Sequence, residues 1–176
     1  MHLFILKRQD GSALPNGNPQ MRKHLFSILV LALGFFAGSA NFVYAEGPHK
    51  AVYHVNYYGA KHQTSTLTNI QNHINAIGKE ELDLIVVLHG DGLSLLMYPD
   101  AIGSNKMSEG NAENVVLARI EGLKQQGVRF QICRNTIAGR GIDMSDLYDV
   151  AEEDIVPSGV AQIAILQSQG YAYLKP

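Results

Sequence analysis

The stretch Gly127-Val128-Arg129-Phe130-Gln131-Ile132-Cys133-Arg134-Asn135-Thr136 decides how the chain is read. A glycine stop followed by β-branched and aromatic residues predicts a strand over Arg129–Cys133. That strand ends at the only cysteine of the protein. A polar turn follows, then Gly139-Arg140-Gly141. A thiol at the carboxyl end of a buried strand is either core packing, since cysteine is among the most buried residue types, or the functional centre. The rest of the chain bears on that choice.

Upstream, Asn111–Gln126 predicts a helix with Val115, Val116, Ala118, Ile120 and Leu123 inward and Gly127 ending it. Before it, Asp100–Gly110 is a polar loop. Leu93-Ser94-Leu95-Leu96-Met97-Tyr98 predicts one or two helical turns broken by Pro99. It carries more apolar residues than one short turn buries in a domain, which points it at a neighbouring subunit. Asp83–Leu88 is a continuous apolar run, the pattern of a strand buried on both faces, and His89-Gly90-Asp91-Gly92 is its tight exit turn. Thr64–Gly78 predicts a helix with Thr64, Ser65 and Thr66 as caps and Leu67, Ile70, Ile74 and Ile77 on one face. Lys50–Tyr57 predicts the first strand. Downstream, Asn135–Gly141 is a short helical connection, and Asp143–Tyr148 predicts a further turn. Ile155-Val156 predicts a short strand, Ser158–Gln169 a helix capped by Ser158, and Tyr171–Leu174 a closing strand. Strand and helix alternate throughout. The expected fold is a three-layer α/β/α domain with a mainly parallel five-stranded sheet.

The amino-terminal part reads differently. Residues 1–20 are polar, with a turn at Pro15-Asn16-Gly17-Asn18-Pro19, and are expected to be disordered or to precede the true start at Met21. Met21-Arg22-Lys23-His24 is a basic n-region, Leu25–Gly38 an uncharged apolar run, and Phe42-Val43-Tyr44-Ala45 a cleavage site. Residues 21–45 therefore read as a signal peptide cut after Ala45. The apolar run, about 14 residues, is shorter than the roughly 20 that span a bilayer. The expected location is periplasmic or secreted, without stable membrane insertion. Residues 46–176 then form one domain, with 10 Lys and Arg against 15 Asp and Glu and a formal charge of −5. Scattered basic residues exclude a nucleic-acid surface, and a single cysteine excludes an internal disulfide.

In an open α/β sheet the functional crevice lies outside the carboxyl ends of the strands. Those ends present Asn56-Tyr57-Tyr58, His89-Gly90-Asp91 and Cys133-Arg134-Asn135. A cation at Arg134 and a helix beginning near Asn135 would both favour a Cys133 thiolate. His89 is either a turn residue satisfying the backbone or a proton donor and acceptor beside the thiol. Arg140, between glycines, is a solvated residue or an anion binder. The histidines His49, His54, His62, His73 and His89 lack metal-ligand spacing, and no glycine-rich cofactor fingerprint follows the first strand. No metal or cofactor is expected.

The first strand, Val86-Val87-Leu88-His89-Gly90, Gly127–Cys133 with Asn135, Gly139-Arg140-Gly141 and Gln169-Gly170-Tyr171-Ala172-Tyr173 occur in an order and spacing that resembles the DsrE/DsrF-like family over residues 50–175. The resemblance implies a flavodoxin-like fold, assembly into homo-trimers or hexamers, and a sulfur relay. It implies that Cys133 carries sulfur as a persulfide between donor and acceptor proteins. The supporting residues expected around it, His89, Arg134, Asn135 and Asn56, rest on their places at the strand ends and not on the resemblance. The expected activity is that of a sulfur carrier or sulfurtransferase-type protein. The alternative is a non-catalytic oligomeric module with Cys133 in the core.

Overall fold

The computed structural model describes residues 47–176. The leader expected over residues 21–45 and the segment before it lie outside the described residues. Five strands form one all-parallel sheet in the order β4-β3-β2-β1-β5. They are β1 (His49–Val55), β2 (Leu82–Leu88), β3 (Arg129–Cys133), β4 (Ile155–Val156) and β5 (Ala172–Leu174). Four α-helices accompany them: α1 (Ala60–Ile77), α2 (Asn114–Lys124), α3 (Arg134–Arg140) and α4 (Gly159–Ser168). The chain steps outward from β1 to β4, then crosses back to place β5 beside β1.

Handedness decides which face each helix covers. Parallel crossovers are right-handed, so reversing the direction of travel moves the crossover to the opposite face. α1 and α2 share a core with Ala51, Tyr53 and Val55 of β1 and with Leu84, Val86 and Leu88 of β2. On the other face, Ile163 and Leu166 of α4 pack on Val52, Ile85 and Val87, with Tyr171. The central strands are buried on both faces, which is why β2 reads as an unbroken apolar run. These are the three layers expected, with the sheet fully parallel.

Several local expectations shift. α1 starts at Ala60, and Gly59 caps it without a side-chain bond. The Thr66 hydroxyl bonds back to the His62 carbonyl (3.2 Å) instead, because a hydroxyl inside a helix finds the preceding turn first. Val115 is 68 % exposed, since α2 begins only at Asn114 and presents Val116, Ile120 and Leu123 to the core. The run Leu93–Met97 needs no second subunit. The chain winds into a 3-10 turn over Gly90–Leu95, and Leu93, Leu95, Leu96 and Met97 are buried in this domain's own core. A backbone that turns under the sheet edge can bury several successive side chains, where a surface helix buries one stripe.

That turn is pinned to β1. A Cβ on Gly92 would sit 2.1 Å from the Val55 carbonyl oxygen and 2.9 Å from the Asn56 nitrogen. Next to it, Gln63 is fully buried and donates to the Tyr57 carbonyl (2.7 Å) and the Ser94 hydroxyl (2.8 Å). Gly92→Ala is therefore expected to lower unfolding free energy by about 2–3 kcal/mol through overpacking. Gly122, a helical glycine with nothing within 4 Å of an added Cβ, is the control: Gly122→Ala should add about 0.5–1 kcal/mol. Urea unfolding of both variants checks the pair.

Candidate functional site

The turns leaving β1, β2 and β3 meet at the carboxyl edge of the sheet. His89 donates its backbone N–H to the Val55 carbonyl (3.2 Å). Gly90 donates its N–H to Thr136 Oγ1 (2.8 Å). The register runs to Val55↔Leu88 and Leu88↔Ile132, so Asn56, His89 and Cys133 continue it side by side. Alternation along a strand puts His54, His89 and Cys133 on the face that α4 covers.

Cys133 ends β3 and is the N-cap residue of α3. It is 5 % exposed. Burial alone pushes its thiol up. The N–H groups of Gly159, Thr136 and Asn135 and the Thr136 hydroxyl act in the opposite sense, and the thiol is held below its ordinary value. Donors near an anion favour the charged form. The Thr136 hydroxyl also accepts from Gly90 N–H, so it ties the β2 turn to the start of α3 beside the thiol.

Gly159 opens α4, and the Ser158 hydroxyl caps that helix by accepting from Ala161 N–H (3.4 Å). Only glycine fits there. A Cβ on Gly159 would lie 2.9 Å from His89 Cβ and 3.1 Å from His89 Cδ2. The same residue therefore packs against the His89 ring and, through its N–H, favours the Cys133 thiolate.

His89 has a second partner. Its Nε2 lies 2.6 Å from His54 Nε2, with the rings stacked at 4.7 Å between centroids. His54 Nδ1 lies 2.7 Å from the Tyr173 hydroxyl. Burial first, then His89 and Lys175, lower His54 to about 4. Burial and then Lys175 lower His89 as well. An Nε2–Nε2 bond needs one proton and one lone pair, so the pair is neutral near pH 7.

Of the residues singled out from sequence, the fold brings Cys133 and His89 together. Asn135 serves the thiol through its backbone, and the residue is exposed. Arg134 forms a surface ion pair with Glu152, and what favours the thiolate is backbone dipole, not a neighbouring cation. Asn56 stands half-buried at the β1 exit. Among the described residues, no side-chain hydrogen bond joins it to the thiol or to the histidines. Arg140 pairs with Asp91 (2.6 Å) and donates to the Lys106 carbonyl (3.0 Å), tying the 99–110 loop to the β2 turn. His54, Thr136, Gly159 and Tyr173 were not foreseen. The one sequence signal for His54 is a polar residue at an inward position of an apolar strand, and for Gly159 a glycine directly after a serine cap.

A model of the DsrE/DsrF-like family matches residues 47–176. Among solved structures, the chain is similar to MTH1491 of Methanobacterium thermoautotrophicum, a protein described as of unknown function. The TM-score is 0.56 at 26% sequence identity, covering 73% of this chain and 99% of that one. No curated protein matches.

Two outcomes follow from the site's electrostatics. Thr136→Val keeps the side-chain shape and removes one donor to the sulfur. The pH midpoint for alkylation of Cys133 should move upward, read from iodoacetamide rates across a pH series. His54 titrates near 6.5 unfolded and about 4 folded. Its contribution to stability is then complete above pH 6.5 and is lost as pH falls from 6.5 toward 4, because the unfolded chain takes up the proton first. Urea midpoints should drop across that window, and His54→Phe should flatten the drop.

Proposed function

We propose that this chain, which belongs to the DsrE/DsrF-like family, accepts sulfur on Cys133 and passes it on as a persulfide. The observation that carries this reading is the placing of one nearly buried thiol at the strand-end crevice, at the start of α3 and close to the start of α4, where the N–H groups of Gly159, Thr136 and Asn135 and the Thr136 hydroxyl favour its charged form. A packing cysteine has no need of surroundings that favour its thiolate, whereas a sulfur nucleophile does. The thiolate would attack the outer sulfur of a donor persulfide, R–S–SH. The new S–S bond forms as the S–S bond of the donor breaks, giving Cys133–S–SH and R–S⁻. No net oxidant or reductant is consumed, because the sulfane sulfur arrives at the oxidation state in which it leaves.

The basic, apolar and small-residue pattern of residues 21–45 supports action outside the cytoplasm. The exposed apolar residues on the outer surface of α4, Val160 at 66 % and Ile165 at 49 %, support a homo-oligomer. A trimer or hexamer is proposed on the family resemblance. The sulfur donor and acceptor are taken to be other proteins of the same relay.

A second reading has one observation in its favour, the 5 % exposure of Cys133. In that reading the domain is a binding module and the thiol is packing. Mass spectrometry after incubation with inorganic polysulfide separates the two. The wild type should gain one sulfur atom, and Cys133→Ser none. A wild type that gains no sulfur and resists thiol reagents at neutral pH while folded would establish the packing role.

A further inference from the structure

We infer that Tyr173, His54 and His89 form a proton wire serving the Cys133 sulfur, with His89 the acid that protonates the departing thiolate. His54 and Tyr173 are positioning residues that set the His89 tautomer. The inference deepens the sulfur-carrier reading and rests on it for the identity of the reacting sulfur.

The three side chains are joined end to end, Tyr173 OH to His54 Nδ1 at 2.7 Å and His54 Nε2 to His89 Nε2 at 2.6 Å. One end of the chain is at the surface, since Tyr173 is 41% exposed. The other end is His89 Nδ1, which makes no hydrogen bond among the described residues. No buried side-chain nitrogen or oxygen there lacks a partner, so Nδ1 opens onto solvent. His89 and Cys133 stand side by side, each one residue past the last register pair of β2 and β3, Leu88↔Ile132. Both touch Gly159. The chain of side chains therefore runs from the surface, along the sheet face under α4, to the histidine that stands next to Cys133 on the neighbouring strand.

Its direction follows from lone-pair counting. If the Tyr173 hydroxyl donates to His54 Nδ1, then His54 Nε2–H donates to His89 Nε2, and His89 Nδ1 carries a proton to give. The reverse order leaves a bare lone pair on His89 Nδ1, ready to take one. When Cys133–S⁻ attacks the donor R–S–SH, the R–S⁻ fragment takes the Nδ1 proton and leaves as R–SH. The His54 proton moves to His89 Nε2, the Tyr173 proton moves to His54 Nδ1, and water returns a proton to the Tyr173 oxygen. No ring becomes an imidazolium at any stage, which suits a buried pair facing the Lys175 ammonium. In general acid–base catalysis the group must reach the atom that needs the proton, and Nδ1 of His89 is the one nitrogen of the two rings that is not already engaged within the chain.

A leaving-group comparison tests it. Exchange of Cys133 with cystamine expels an alkyl thiolate that needs a proton, whereas exchange with 4,4′-dithiodipyridine expels a thiolate that does not, since the more acidic thiol leaves unaided. His89→Gln, His54→Gln and Tyr173→Phe should slow the cystamine reaction by about tenfold or more. Each should change the dithiodipyridine rate by less than about twofold. Tyr173→Phe, at an exposed position, keeps the test alive should a histidine variant fail to fold. Unchanged cystamine rates, or a parallel fall with both reagents, would overturn the wire. So would a wild-type thiol inert to both. A wild type that exchanges with disulfides as expected yet gains no sulfur from polysulfide would end the carrier reading and leave the wire standing.

Discussion

The close approach of Gly159 to the sheet is the contact on which the site depends. β4 reaches the outer edge of the sheet and the chain must return across it to pair β5 with β1. The right-handed rule sends that return over the face opposite α1 and α2. The helix that makes the return begins directly above His89 and Cys133. With a side chain at residue 159, the helix start would have to lift off the His89 ring, and the N–H that favours the thiolate would move away with it. Topology brings the helix there, and a missing Cβ lets it come close enough to act.

Two opposite electrostatic problems are solved within that contact. A nearly buried thiol resists ionising, and fixed N–H dipoles offset the desolvation without importing a charge. Dipoles of the backbone cost no reorganisation when the anion forms, because the turns of β2 and β3 already hold them through Gly90 and Thr136. The adjacent histidines are treated in the opposite sense. Burial and Lys175 keep both neutral, and one shared proton satisfies the two facing nitrogens. A thiol held toward its charged form and a neutral histidine pair then stand on neighbouring strands. An imidazolium beside the thiol would hold the sulfur as a tight ion pair and make it a weaker nucleophile.

The fold was legible because its signals are periodic and local. The unbroken apolar run of β2, the helix spacing of Leu67, Ile70 and Ile74, and the serine cap of α4 each report on one element. Cys133 and His89 were legible because strand ends are where open sheets place chemistry. The rest required contacts between residues far apart in sequence. His54 meets Tyr173 across a separation of 119 residues, and nothing in either neighbourhood marks the pairing. Gly159 looks like an ordinary helix start until the His89 ring is placed above it. Arg134 misled for the same reason. Its sequence neighbour is Cys133, but its partner in space is Glu152. The Leu93–Met97 run misled because its residues were counted as a surface turn, while the backbone carries them beneath the sheet edge into the core.

The depth of the thiol bears on how a carrier could work outside a reducing compartment. A thiolate exposed to oxidants climbs irreversibly to sulfinic and sulfonic acid. At 5 % exposure, Cys133 offers little surface to a bulky oxidant. Adding one sulfur changes this geometry. An S–S bond of about 2.05 Å sets the transferable sulfur that far from the buried position of the thiol. The resting thiol is then the shielded state of the two. On the carrier reading, burial of Cys133 is not evidence against chemistry. It separates the state that must survive from the state that must react.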